Sequence, residues 1–228
     1  MAPTAEAAAR VAADLIAGRL RDAIAERGTA TLALSGGRTP ARMVELLAGE
    51  PLEWERVHLF QVDERVVPRD DPDLNWRTFT PLLSRLSPGT AHPVPMMSSA
   101  NDLEPVVAEY AQALADVAGR PAVLDMVHLG LGDDGHTASL VPGDPAVDVI
   151  DQDVVATGSY RGHRRVTLPR GVLVRARAVV WLVVGADKAA MAERLLRGDP
   201  SIVAGRVDNP NAFLVTDTAA AATPSQTG

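Results

Sequence analysis

The stretch of the chain best equipped for chemistry is Leu129-Gly130-Leu131-Gly132-Asp133-Asp134-Gly135-His136-Thr137-Ala138-Ser139-Leu140-Val141-Pro142-Gly143. Its glycines let the backbone turn sharply and approach a ligand, and the spacing predicts His136 at the start of a short helix, beside outward-pointing N–H groups. An imidazole so placed can take a proton from water attacking a carbonyl, and its ordinary pKa of about 6.5 suits base chemistry at neutral pH. Gly130, Gly132 and Gly135 also satisfy the G-x-G-x-x-G pattern of dinucleotide sites. Asp133 and Asp134 would set negative charge where a pyrophosphate must lie, and the match follows the third strand rather than opening the first βαβ unit, so the pattern is coincidental.

Other clusters suit an anion. In Ser35-Gly36-Gly37-Arg38-Thr39-Pro40 the two glycines free their N–H groups for a phosphate or sugar oxygen, and the following helix adds its positive end. The segment has neither the spacing nor the terminal Lys-Ser or Lys-Thr of a Walker loop. Asp63-Glu64-Arg65 puts two carboxylates and a guanidinium at a strand end. Asp71, Asp73 and Asn75 alternate as calcium ligands do, but Trp76 stands where a glycine is needed and Leu82 where a bidentate Glu is needed, so calcium is not expected. His58 and His128 fall inside strand patterns and read as core residues; His92 and His163 fall in loops without partners at ligand spacing. No metal and no bound cofactor is expected. Cations for a phosphate can come from Arg164 or Arg165 in His163-Arg164-Arg165-Val166-Thr167-Leu168-Pro169, and from Lys188, the only lysine in the chain. Lys188 is placed in the first turn of a helix, where positive charge is slightly unfavourable, which favours a functional use. Three charge-assisted contacts of about 1.5 to 3 kcal/mol each would hold a phosphate dianion.

Composition narrows the classes. With no cysteine, disulfides, thiolate ligands and cysteine nucleophiles are excluded together. Lys and Arg number 22 against 29 Asp and Glu, and the net charge of −7 argues against a general nucleic-acid partner, which needs clustered cations. The 228 residues, 46% hydrophobic, suffice for one large domain, expected over 1–217, with an Ala, Thr and Ser-rich tail over 218–228 expected to be disordered. No apolar run approaches the roughly 20 residues of a membrane span, and the N-terminus lacks the apolar core of a signal peptide. A cytoplasmic protein, monomer or homodimer, with a small-molecule ligand and no membrane partner, is expected.

The elements that must position these clusters alternate. Pro3 to Arg27 carries Val11, Leu15, Ile16, Leu20 and Ile24 at helical spacing. Ala30 to Leu34 reads as a strand entering the glycine pair, followed by a helix over Pro40 to Leu47. Strand patterns recur over Val57 to Val62, Val123 to Leu131 and Ala178 to Val184, and helices are predicted at about Asn75 to Leu86, Leu103 to Ala118 and Lys188 to Leu196. Such alternation predicts an α/β fold, a mostly parallel sheet covered on both faces, with the polar clusters gathered beyond the carboxyl ends of its strands.

In order and spacing, Ser35-Gly36-Gly37-Arg38-Thr39-Pro40, Val62-Asp63-Glu64-Arg65-Val66-Val67-Pro68, Gly132-Asp133-Asp134-Gly135-His136-Thr137-Ala138-Ser139-Leu140 and Gly185-Ala186-Asp187-Lys188-Ala189 resemble the 6-phosphogluconolactonase family. The resemblance implies a Rossmann-like three-layer α/β/α fold, shared with glucosamine-6-phosphate deaminases, and opening of 6-phosphoglucono-1,5-lactone in the pentose phosphate pathway. It implies His136 as catalytic base, Gly36 and Gly37 with Arg165 and Lys188 as phosphate groups, and Asp63 with Arg65 as pocket residues near the sugar that join the catalytic set, Arg65 or backbone N–H groups stabilising the oxyanion. Ser35, Arg38, Thr39, Asn75, Gly132, Asp134, Gly135, Thr137 and Arg164 complete the expected substrate contacts. Deaminases follow Asp-Gly-His with Ile-Ala-Phe-Asn-Glu and carry Asp-Glu-Tyr; Thr137, Ser139 and Arg65 stand in those places here, which favours the lactonase branch. The family usually has Ser-Asn where this chain has Leu74-Asn75. The alternatives are a deaminase acting on an amino-sugar phosphate and a sugar-phosphate sensor; a sensor would need a basic recognition helix, which the chain lacks.

Overall fold

The structure, a computed structural model, describes residues 1–95 and 102–221. Helix α1, Ala5–Arg27, begins where the Thr4 hydroxyl accepts from the Ala7 N–H and ends at Gly28, whose φ of 81° only glycine adopts without strain. Strand β1, Ala30–Leu34, is buried throughout and leads into α2, Arg38–Ala48. Next come β2, Val57–Gln61, and β3, Asp63–Arg65. A 3₁₀ helix at Asn75–Phe79 and the single turn α3, Thr80–Leu83, replace the one longer helix expected from Asn75 to Leu86. Pro81 lies within that span and removes an N–H from any continuous ladder.

Strand β4, Ala91–His92, helix α4, Glu104–Ala118, and β5, Met126–Leu129, follow. Then come β6, Val155–Tyr160, β7, His163–Thr167, α5, Arg170–Arg175, and β8, Val179–Val183. The chain closes with α6, Ala189–Leu196, β9, Ala212–Thr216, and the turn α7, Thr218–Ala221. Residues 218–221 of the expected tail are therefore helical, and 222–228 lie outside the described residues.

Six strands form a parallel sheet in the order β4-β2-β1-β5-β8-β9. Successive side chains feed opposite faces. Leu32, Leu34, Val180 and Leu182 pack with α1 and α2, whereas Ala33, Val179, Trp181 and Val183 pack with α4 and α5. This is the three-layer α/β arrangement that the alternation predicts. Among the described residues no helix is long and apolar enough to cross a membrane.

The sequence reading did not anticipate β9 or the second sheet, the antiparallel β3-β7-β6. Val62 joins the two sheets, donating its N–H to the Leu34 carbonyl and accepting from the Leu168 N–H. The register sets Asp63 opposite Thr167 and Arg65 opposite Arg165, on one face of β3, and turns Glu64 to the other.

Candidate active site

A cleft of about 690 Å³ opens at the carboxyl ends of β1, β5 and β8. It is lined by Ser35, Gly36, Gly37, Arg38, Thr39, Asp63, Arg65, Asn75, Gly132, His136, Arg165 and Lys188, residues far apart in the chain. Of the expected contacts, Asp134, Gly135, Thr137 and Arg164 do not line it. Strand alternation explains Arg164, which points the other way from its neighbour Arg165. The remaining three build the turn rather than wall the cleft.

His136 stands in an irregular turn, not at the head of a helix. The Gly132 N–H donates to the His136 carbonyl at 2.8 Å and the Gly135 N–H to the Gly132 carbonyl at 3.1 Å, closing the turn on itself. Thr137 is buried and donates its hydroxyl to the Gly130 carbonyl. Gly135 has a φ of 80° and lies against Ile202, so a side chain there would be both strained and crowded.

Asp134 fixes the ring. Its Oδ1 lies 2.5 Å from His136 Nδ1 and accepts from the His136 N–H at 3.1 Å, while Oδ2 accepts from the Tyr160 hydroxyl at 3.1 Å. With Nδ1 against a carboxylate, the imidazole keeps Nε2 for other partners. Partial burial works against the Asp134 charge, but the His136 N–H and ring outweigh it, and the carboxyl is held below its ordinary range. Tyr160 also meets the ring edge-on, with centroids 5.3 Å apart.

Deeper in, Asp63, Ser139 and Arg165 form a buried cluster. The Ser139 hydroxyl donates to Asp63 Oδ2 at 2.5 Å, and Arg165 Nη1 lies 3.7 Å from the same oxygen. Burial pushes the Arg165 pKa below its ordinary value, and Asp63 pulls it back. Arg65, directly across the strand pair from Arg165, repels it and adds to the lowering. Arg65 Nη1 itself is held by the Asp73 carbonyl at 2.8 Å and its carboxylate at 3.4 Å. Asp73 Oδ2 also faces His163 Nε2 at 3.3 Å. Asn75 is buried and donates to the Asp63 carbonyl.

Gly185, with a φ of 99°, turns the chain after β8 so that Lys188 falls at the N-cap of α6. Lys188 pairs with Asp133, and Arg161 Nη2 lies 3.7 Å from the other oxygen of that carboxylate. The two cations hold the Asp133 carboxyl below its ordinary range, Lys188 more strongly. Sequence alone assigns no site role to Arg161, Tyr160 or Asp133. Arg161 and Tyr160 belong to the β6–β7 hairpin, whose only sequence signal is Gly162, which together with Arg161 takes a positive φ. Among the described residues no three His, Asp or Glu side chains come together as metal ligands would.

The parallel sheet, the three layers and a polar cleft with several cations and an imidazole oriented by a carboxylate at its strand ends are those of an α/β protein with a small-molecule pocket. The chain belongs to the glucosamine-6-phosphate isomerase/6-phosphogluconolactonase family, whose profile matches residues 3–218. It is 43% identical to a 6-phosphogluconolactonase of Synechocystis sp., over 75% of this chain and 72% of that one. It is 35% identical to one of Mycobacterium tuberculosis, over 96% of this chain and 95% of its relative. The solved 6-phosphogluconolactonase of Trypanosoma brucei superposes with a TM-score of 0.83 at 26% identity, covering 97% of this chain and 96% of that one.

Proposed function

We propose that this protein hydrolyses 6-phospho-D-glucono-1,5-lactone to 6-phosphogluconate, in the cytoplasm, as a step of the pentose phosphate pathway. The family match and the relatives named for that activity support the reading. The observation that carries it is the contact of His136 Nδ1 with Asp134, in a cleft that Lys188 and the glycine loop also line.

In this reading the phosphate lies among Lys188, Arg165 and the first amides of α2, and the lactone carbonyl faces His136. Gly37 contributes less than its sequence suggests, because its N–H already donates to Thr78 Oγ1 at 3.2 Å. His136 Nε2 takes a proton from water as the water oxygen bonds to C1, and the carbonyl electrons move to its oxygen. Of the candidate oxyanion donors, the Arg65 head is held by Asp73, and the Gly132 and Gly135 N–H groups are engaged within their own turn. Collapse of the adduct breaks the bond from C1 to the ring oxygen, which recovers the proton from the imidazolium, and the acid formed ionises in water. General-base help contributes about 10² to 10⁴ in rate and an oxyanion donor about 10² to 10³. Asp63 is a poor candidate for a deaminase-type base, being buried and already accepting from Ser139. The test is an assay with freshly generated phosphogluconolactone in the presence of a chelator, run beside glucosamine 6-phosphate. Lactone opening with no ammonia release is expected; ammonia release, or no acceleration of lactone hydrolysis, overturns the reading.

A further inference from the structure

Glu64 stands between Asp63 and Arg65 but turns to the other face of β3 and is fully buried. Its carboxylate accepts from four donors. Oε1 takes the N–H groups of Arg65 and Asn75 at 2.7 and 2.8 Å; Oε2 takes the Trp76 N–H at 2.8 Å and Gln61 Nε2 at 2.6 Å. Gln61 is itself fixed, since its Oε1 accepts from the Val94 N–H and its backbone is bridged by the Tyr110 hydroxyl.

Asn75 and Trp76 open the 3₁₀ helix Asn75–Phe79, and its N-cap residue is Leu74, which makes no side-chain cap. Helix starts favour Ser, Thr, Asp or Asn there, because a side-chain oxygen satisfies the first free N–H groups. Here the carboxylate arrives from the neighbouring strand instead. The helix so capped abuts the glycine loop at two points. A Cβ on Gly36 would lie 2.6 Å from Asn75 Cβ, so the two backbones are in the closest contact a glycine allows. Thr78, which does not line the cleft, accepts the Gly37 N–H.

We propose that Glu64 is a positioning residue for phosphate recognition, capping the Asn75–Phe79 helix from β3 and thereby holding it against the Ser35-Gly36-Gly37 loop. The role rests on reading that loop as part of the phosphate site. Glu64 makes none of its four hydrogen bonds to the 130–141 turn, so its loss acts on binding rather than on the chemical step.

Glu64→Gln tests this, because the amide nitrogen would face N–H donors that the carboxylate now satisfies. KM for the lactone and the calorimetric Kd for inorganic phosphate should each rise about tenfold, with kcat held within about threefold. A loss of kcat at unchanged KM and Kd is what a merely structural residue would give, and it overturns the proposal. Should that variant not fold, Glu64→Asp keeps the charge but draws the carboxylate back from the Asn75 and Trp76 N–H groups: KM and phosphate Kd should rise about threefold, and an unchanged or lower Kd overturns the proposal. Since phosphate Kd is read without turnover, the result stands even if the parent opens no lactone. A parent that hydrolyses lactone, with KM and Kd unmoved in Glu64→Gln, removes the positioning role alone.

Discussion

The imidazole of His136 lies directly against Gly132, where a Cβ would sit 2.0 Å from Nδ1. That contact makes Gly132 a packing partner of the ring rather than a flexible link. Gly132→Ala must therefore rotate the imidazole off Asp134. The expected outcome is a fall in kcat of about 10² or more, since the general-base contribution is lost, with the fold retained. Lactonase kinetics beside a thermal melt of the variant check it, and parental kcat would show that the ring tolerates displacement.

Asp134 orients the ring through Nδ1, so Asp134→Asn should lower kcat at least about tenfold while leaving KM nearly unchanged. A substrate contact, the role that sequence alone suggests for Asp134, would instead raise KM. Steady-state kinetics separate the two.

Asp133 occupies Lys188 and Arg161 as an internal anion. Its carboxylate is largely exposed, so the competition it offers is modest. Asp133→Asn should tighten inorganic phosphate by about threefold, measured by calorimetry at low salt, and the gain should fade as ionic strength rises. Weaker phosphate binding in the variant would mean that Asp133 holds the cations in place rather than competing for them.

His128 is buried on β5, and burial lowers its pKa to about 4. Because the folded value lies below the unfolded one, the unfolded chain binds the extra proton between about pH 6.5 and 4. Stability is complete above that window and declines as pH falls through it, by about 3 kcal/mol in all. Denaturant titrations across the window should show the decline, and His128→Leu should flatten it; an unchanged slope would assign the acid sensitivity to other groups.

Much of this was legible in the sequence, and the misses have physical causes. The buried parallel strands announce themselves as apolar runs ending in glycine or acidic turns, so β1, β2, β5 and β8 and the convergence of their ends could be read directly. Strand β6 is only partly buried, and β9 starts exposed at Ala212, so neither shows a continuous apolar run. The hairpin turn at Arg161 and Gly162 gives little warning, and with it Tyr160 and Arg161 went unplaced. Asp63 and Arg65 could be put at a strand end, but not the antiparallel pairing with β7 that turns them to the cleft and Glu64 away from it. Leu74 was an unexplained departure in sequence; the Glu64 carboxylate across the loop supplies what its side chain cannot.

The most direct measurement is lactone hydrolysis by His136→Ala, paired with calorimetric binding of 6-phosphogluconate. Turnover should fall by about 10² to 10⁴ while the product still binds within a few-fold of the parent. Equal turnover by variant and parent would contradict an imidazole base at this turn.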